Sequence, residues 1–200
     1  MAKVNFTKKA QKDYPEFGIK KGDSYYYWSL MTGPRSSITY KSLTQPKPSQ
    51  LTSSPFLSTL YEIQERIEEV EFTELDDLKS FVEEIVGDIG SLKDETQSSL
   101  YNMPEGLQQG GTGQLLQERI DALEGWQSEL EGVDLEFEFD EEEPTEPEKE
   151  KGESEEEFKI RCEEYDFVSA NQEWENNKEE AEKEFVQEKF EEIQSFDPGL

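Results

Sequence analysis

Residues 57–92 place apolar side chains at the spacing of a helix that packs against another helix. The apolar positions form two rows, Leu60, Ile63, Ile67 and Val70, then Leu75, Leu78, Val82, Ile85, Ile89 and Leu92. The second row steps alternately by three and four residues, which is the a/d repeat of packed helices. Its phase differs from that of the first row, so we expect two helices joined by a bend. This pattern predicts a helical scaffold and also permits self-association through the helices.

Capping residues and glycines predict where these helices begin and end. Ser54 as N-cap and Pro55 as first helical residue start the first helix. The second is expected over residues 73–100. A glycine-rich corner at 109–113 then separates it from a third helix over 114–131, so that the two fold back as an antiparallel pair. The apolar face of the third helix comprises Leu116, Ile120, Leu123, Trp126 or its neighbour Gln127, and Leu130.

Residues 24–43 have a different character, with aromatic and β-branched residues on both sides of a Gly-Pro turn. This composition predicts a β-hairpin that rests on a helix. Strand alternation places Tyr25, Tyr27 and Met31 on one face and Tyr26, Trp28 and Leu30 on the other. The preceding residues 1–22 are basic and lack periodicity, which favours an irregular arm.

The C-terminal third is strongly acidic. Residues 133–139 alternate apolar and acidic side chains, which is typical of a strand and could pair with the N-terminal hairpin. Residues 134–157 hold 14 acidic and 2 basic side chains, so we expect a solvated linker. Ser154 and Glu157 form a capping-box pattern before a long acidic helix that can break near Asn176. Its apolar rows are Phe158, Cys162, Tyr165 and Val168, then Ala181, Phe185, Ile193 and Phe196.

Together these signals predict a mainly α fold: an antiparallel helical hairpin or bundle with an N-terminal β-hairpin and an acidic C-terminal helix. The expected segments are a basic aromatic arm and hairpin, a helical scaffold with a terminal strand, an acidic linker and an acidic helix, at residues 1–53, 54–139, 140–153 and 154–200.

Charge is distributed unevenly along the chain, whose formal net charge is −29. Residues 1–50 hold 9 basic and 3 acidic side chains, a net of +6, whereas residues 51–200 hold 11 and 46, a net of −35. The acidic body disfavours anionic membranes and nucleic acid, so nucleic acid is expected only through residues 1–50. The asymmetry indicates two surfaces for two partners, or a basic arm folded back on the acidic body. The two readings are compatible.

Catalytic and metal-binding motifs are scarce. The chain has no histidine and a single cysteine, which excludes histidine-based triads and standard zinc sites. Cys162 is expected to be a buried structural thiol. The glycine corner lacks the lysine of a phosphate loop and is better explained as a helix–helix loop. We therefore predict no cofactor. No apolar run approaches membrane-spanning length and no secretory signal is evident, which predicts a cytoplasmic protein.

Basic and aromatic residues interleave in and around the hairpin, a composition found at binding surfaces. The alternative is that the aromatic residues are the hairpin's own core contacts. The candidate partner-binding residues are Lys20, Lys21, Tyr26, Trp28, Arg35 and Lys41.

Three short motifs, at residues 20–28, 46–52 and 113–119, resemble those of a group of uncharacterised bacteriophage proteins. The resemblance covers residues 1–133 and transfers no functional residue. It implies a phage or prophage origin and expression inside a bacterial host.

Three functions follow as hypotheses. The first is a non-enzymatic interaction protein whose acidic helical scaffold displays the basic aromatic hairpin to a host or phage macromolecule. The second is a DNA mimic that inhibits a host DNA-binding or defence protein. The third and weakest is an enzyme that uses carboxylates and Mg²⁺.

Overall fold

A computed structural model shows a mainly helical chain with an N-terminal three-stranded antiparallel sheet, which confirms the predicted fold class. The structure describes residues 1–151, 153–164 and 166–200. The strands are β1 Asn5–Thr7, β2 Tyr25–Gly33 and β3 Ser36–Ser42. The helices are α1 Pro55–Glu69, α2 Leu75–Tyr101, α3 Glu105–Gln108, α4 Gly111–Glu131, α5 Glu155–Glu164 and α6 Phe167–Gln194. Short 3₁₀ turns lie at Pro15–Phe17 and Pro48–Leu51.

The predicted hairpin is present as β2 and β3, and the sheet order is β1-β2-β3. β1 corrects the expectation of an irregular arm, because residues 5–7 pair with β2 and place Phe6 opposite Tyr26. A strand of three residues is too short to show a period of two. Its pairing depends on a partner strand some 20 residues away rather than on a local pattern.

The bend between the first two helices is confirmed. α1 begins after Ser54, whose hydroxyl accepts the Leu57 amide at 3.4 Å, and it ends at Glu69. Val70 is extended and α2 begins at Leu75. The change of phase in the apolar rows therefore corresponds to a real interruption of the helix.

The chain divides into two compact units. Unit 1 comprises residues 1–70, 83–131 and 196–200, and unit 2 comprises residues 71–82 and 132–195. In unit 1, α2 packs on α4. The buried hydrophobic side chains in the helices of unit 1 are Leu60, Ile63, Ile67, Ile85, Ile89, Leu92, Ile120, Leu123, Trp126 and Leu130. Arg66 of α1 forms ion pairs with Glu84 and Asp88 of α2 within this unit.

α4 begins at Gly111, three residues earlier than the predicted start at residue 114. The glycine-rich segment is therefore partly the first turn of a helix and not wholly a loop. Gly113 is buried there, and a Cβ at this position would lie 1.9 Å from the carbonyl oxygen of Gln108. Only glycine permits this close approach of α3 to α4.

In unit 2, the first residues of α2 pack on α6. Phe72, Phe81 and Phe190 form a ring cluster with centroids 5.0–6.4 Å apart. The buried hydrophobic side chains are Leu75, Leu78, Val82, Val186, Phe190 and Ile193. Leu78 and Val82 are thus buried as the a/d repeat predicts. On α6, Val186 and Phe190 are buried, whereas the predicted Ala181 and Phe185 are only half-buried.

The predicted strand at 133–139 is wrong, since this segment is not a strand and pairs with neither edge of the sheet. The alternation is nevertheless reflected in burial, because odd positions are half-buried and even positions exposed. Phe137 contacts Phe185 at 5.5 Å and Phe139 contacts Trp174 at 5.7 Å between ring centroids. The apolar side therefore covers α6, where side-chain packing takes the place of backbone pairing.

The long C-terminal helix is divided differently from the prediction. α5 ends at Glu164, and α6 begins at Phe167 with the Asp166 carboxylate accepting the Ser169 amide. α6 continues without a break through Asn176, whose side chain accepts a hydrogen bond from Gln172 one turn earlier. The predicted capping box of Ser154 and Glu157 is confirmed by reciprocal bonds of 3.0 and 3.2 Å.

The apolar row predicted at the start of this region does not form a core. Val168 is 76% exposed, and Cys162 is half-buried where a buried thiol was expected. Phe158 is half-buried, and its ring lies against the Arg161 guanidinium. Tyr165, the fourth member of the row, lies outside the described residues.

Candidate functional site

Two faces of the N-terminal sheet differ in what covers them. The Tyr25 face comprises Asn5, Thr7, Tyr25, Tyr27, Ser29, Met31, Ser37, Thr39 and Lys41, and the Trp28 face comprises Phe6, Tyr26, Trp28, Leu30, Ile38, Tyr40 and Ser42. The lead-in between β1 and β2 covers the first part of the Tyr25 face, where Tyr25 packs with Ala10 and Ile19. Gly18 allows this lead-in to turn back, because its φ of 67° is a left-handed conformation that favours glycine.

Aromatic rings and ammonium groups meet on the covered part of the Tyr25 face. The Lys41 ammonium lies 4.5 Å from the ring centre of Tyr14 and 5.0 Å from that of Phe17. Lys12 approaches the Tyr14 ring at 5.4 Å. A hydrogen bond with Tyr25, together with partial desolvation, raises the pKa of the Tyr14 hydroxyl. Lys41 therefore interacts with the protein's own aromatic side chains and is only half-exposed.

Trp28 is buried on the opposite face, where its side chain contacts other parts of the same chain. It is 4% exposed, its indole N–H donates to the carbonyl oxygen of Gln50 at 2.8 Å, and its ring stacks on Tyr40 at 5.8 Å. A binding role for Trp28 assumes that the ring points outward, which it does not. Its stacking on Tyr40 is what the alternative predicts, in which the aromatic residues are the hairpin's own core contacts; the hydrogen bond to Gln50 also holds the hairpin on the turn at 48–51.

The 3₁₀ turn that receives Trp28 is itself held on α1. The Glu65 carboxylate is buried and accepts both the amide and the hydroxyl of Ser49 at 2.8 Å. Nearby, the Lys47 ammonium donates to Glu69 at 2.6 Å, and this bond raises the pKa of Lys47. Because a buried carboxylate is stable only when its oxygens are hydrogen-bonded, the Glu65–Ser49 pair fixes the base of the sheet on the helix.

The exposed hairpin end, defined as residues 29–40, has no buried residue. Met31 is 62% exposed on the Tyr25 face, and Ile38 is 49% exposed on the Trp28 face. Arg35 lies in the turn and is exposed. β3 is an edge strand, because in the described sheet it pairs with β2 only. Apolar side chains and unpaired main-chain groups are therefore both available here.

β2 and β3 lie within a segment that lacks acidic residues. Residues 24–61 contain no Asp or Glu, although 49 of the 200 residues in the chain are acidic. The acid-free segment carries three cations, Arg35, Lys41 and Lys47. It includes β2, β3, Trp28 and the whole 3₁₀ turn at residues 48–51. The sheet surface thus differs in charge from the rest of the protein.

The six predicted partner-binding residues are not on one surface patch. Tyr26 and Trp28 share a face, where Tyr26 is half-buried against Phe6. Lys41 lies on the other face, and Arg35 lies in the turn. The side chains of Lys20 and Lys21 are exposed, while their backbone amides bond the Asp23 and Asp13 carboxylates.

Sequence reasoning missed three exposed apolar residues of the sheet, Phe6, Met31 and Ile38. Their types predict burial, so only the number of elements that cover each face could have revealed them.

Elsewhere in unit 1, an open cleft of about 980 Å³ lies where α2, α3 and α4 meet. Its polar lining is mostly uncharged, comprising Gln97, Ser98, Asn102, Gln108 and Gln117. Among the described residues, no group of three or more acidic or cysteine side chains is placed to hold a metal ion. No described helix is long and apolar enough to cross a membrane.

Comparison with known proteins returned no matching family model, no matching curated protein and no matching solved structure.

Proposed function

We propose that the protein is a non-enzymatic interaction protein that presents the exposed hairpin end to another macromolecule, with the helices as scaffold. In keeping with the phage resemblance, the partner is a host or phage protein in the bacterial cytoplasm. The observation that carries this proposal is the combination of exposed apolar side chains with an acid-free segment of 38 residues in a protein of net charge −29.

Stability alone does not account for this arrangement. A solvent-exposed two-stranded ribbon is marginally stable in water, and placing Met31 and Ile38 on it removes little apolar surface from solvent. An acidic protein also gains solubility from carboxylates on such a ribbon, yet none is present. Exposed apolar side chains surrounded by polar residues are typical of protein–protein contact sites.

Two hydrogen-bonded contacts hold the base of the sheet, and with it the ribbon, on α1. Trp28 joins β2 to the turn at 48–51, and Glu65 joins that turn to α1. These two successive contacts, the first partly buried and the second buried, fix the position of the base of the exposed hairpin end. A fixed binding element loses less conformational entropy when it associates than a flexible one does.

The charge density of α6, the longest acidic helix, weighs against the DNA-mimic alternative. α6 holds nine acidic and three basic side chains, a net of −6. At 1.5 Å per residue its 28 residues span about 42 Å, which gives one net charge per about 7 Å. Duplex DNA carries one charge per about 1.7 Å. α6 alone therefore supplies about a quarter of the required density.

The proposal is tested by affinity capture from bacterial lysate with two matched variants. Ile38→Asp places a charge on the exposed hairpin end, and Val168→Asp places the same charge on an exposed position of α6. We expect proteins captured by the native chain to be lost with Ile38→Asp and retained with Val168→Asp. Circular dichroism should show unchanged helix content in both variants.

Retention of every captured protein by a folded Ile38→Asp variant would contradict the proposal. Retention of DNA-binding proteins by both variants, together with a steep loss of their binding as salt rises, would favour DNA mimicry.

A further inference from the structure

The outer edge of β3 offers an unpaired row of main-chain groups. In an antiparallel pair, every second residue directs its N–H and C=O away from the neighbouring strand. β3 has seven residues and is exposed from Ser36 to Tyr40. Proteins usually protect such an edge with proline, a bulge, or several charges, whereas β3 contains one lysine and no proline. Its one register irregularity lies beside the turn, between Met31 and Gly33 of β2.

From this edge we infer that β3 binds an extended segment of the partner as a fourth strand, and that this segment alternates apolar and acidic residues. The inference rests on the proposed function and specifies its binding mode. Strand addition draws its affinity from main-chain hydrogen bonds and its selectivity from alternate side chains.

The side chains of β3 determine the alternation. On the Trp28 face, an added strand meets Ile38 and Tyr40, both partly exposed, which pair well with β-branched or aromatic residues. On the Tyr25 face, it meets Ser37, Thr39 and Lys41. Acidic residues suit this side because Lys41 lies on it and Arg35 lies in the adjoining turn, whereas the third cation of the acid-free segment, Lys47, is already paired with Glu69. At physiological ionic strength, exposed charges more than about 8 Å away are largely screened, so carboxylates beyond that distance oppose an acidic strand only weakly.

Two other occupants fit the edge less well. Nucleic acid backbone offers acceptors but no donors for the outward carbonyl groups of β3. A second copy would bring the Arg35 and Lys41 cations of two like-charged hairpins together. The chain's own alternating segment at 133–139 is already packed against α6 through Phe137 and Phe139.

The test uses a synthetic peptide, Ac-TEVEVET-NH₂, titrated into the isotopically labelled full-length protein. Amide chemical shifts should change in residues 36–42, and hydrogen exchange should slow at alternate residues of β3. Two control peptides separate the contributions. One carries lysine in place of each glutamate, and the other is N-methylated at alternate residues so that its side chains remain but its donors on one edge are lost.

We expect the lysine peptide to bind about tenfold more weakly, and the N-methylated peptide to produce no shifts in β3. Arg35→Glu should weaken binding of the acidic peptide about three- to tenfold, whereas Lys8→Glu, the same charge change outside the acid-free segment, should alter it less than about twofold.

Equal binding of the N-methylated peptide would overturn the inference, as would shifts confined to the cleft at 97–120 or the absence of any shift. A concentration-dependent dimer that Ile38→Asp abolishes would identify a second copy as the occupant and would also overturn it. If the acidic peptide does not bind β3 while the Ile38→Asp variant still fails to capture the proteins that the native chain captures, the proposed function stands and only the binding mode is wrong.

Discussion

The two units differ in the density of their hydrophobic cores and in their net charge. Among the described residues, unit 1 has 14 buried hydrophobic side chains in 124 residues, and unit 2 has 6 in 74. Unit 1 holds 19 acidic and 12 basic side chains, a net of −7, and unit 2 holds 30 and 8, a net of −22. Unit 2 must therefore overcome more self-repulsion with a smaller core. The acid-free surface lies in the unit with the denser core, where a binding element can be held rigidly.

The largest effect is expected from two isoleucine substitutions, one in the core of each unit. Ile89 of unit 1 is 0% exposed and Ile193 of unit 2 is 1% exposed. Each change to alanine should lower the free energy of unfolding by about 2–5 kcal/mol. Ile89→Ala should lie nearer the upper end, because a denser core relaxes less around the cavity. Urea denaturation measures both, with Val168→Ala as an exposed control expected within about 0.5 kcal/mol of the native chain. The reverse order would refute the difference in core packing.

Within the denser core of unit 1, two buried tryptophans can be compared with each other. The Trp28 N–H donates to Gln50, whereas the buried Trp126 N–H has no hydrogen-bond partner among the described residues. Trp28→Phe loses a hydrogen bond, while Trp126→Phe removes an unpaired donor. We expect Trp28→Phe to cost about 1 kcal/mol more in unfolding free energy, although Trp126 is the more buried residue. Equal costs would indicate that Trp126 has an unseen partner such as water.

Salt should stabilise unit 2 more than unit 1. Raising ionic strength from 0.01 to 0.1 M shortens the screening length from about 30 to about 10 Å, which weakens repulsion among the carboxylates of unit 2. Fluorotryptophan labelling gives one signal for Trp174 of unit 2 and one for Trp126 of unit 1. The urea midpoint reported by Trp174 should rise more with salt than that reported by Trp126. Identical shifts would mean that the net charges of the units do not govern their stability.

The smallest effect is a pH dependence confined to unit 2. Hydrogen bonds from Arg161 lower the pKa of Glu153 from its ordinary 4.5 to about 2. Because the folded-state pKa is depressed, the contribution to stability is present above about pH 4.5 and is lost as pH falls towards 2. Carboxyl-detected NMR should give a titration midpoint near 2 for Glu153. Arg161→Gln should return the midpoint towards 4.5, and an unchanged midpoint would exclude Arg161 as the cause.

The candidate site was only partly predictable. Composition identified the hairpin, its charge and the exposed positions of Lys20, Lys21 and Arg35. The role of Trp28 was not predictable, because its partner is a carbonyl group 22 residues further along the chain. Exposure of Ile38 was equally hidden, since it results from the absence of a covering element rather than from any property of β3.

By itself, the sequence determined features whose physical causes lie within a few residues. The Ser54 cap, the a/d row through Leu78 and the interruption before Leu75 each depend on local geometry and appear as predicted. Only the tertiary structure decided features that depend on remote segments. β1 needed β2 as its partner, and residues 133–139 were placed by the rings of Phe185 and Trp174. An alternating pattern specifies that one side is covered but not by what, because a helix and a strand bury the same apolar side chains equally well.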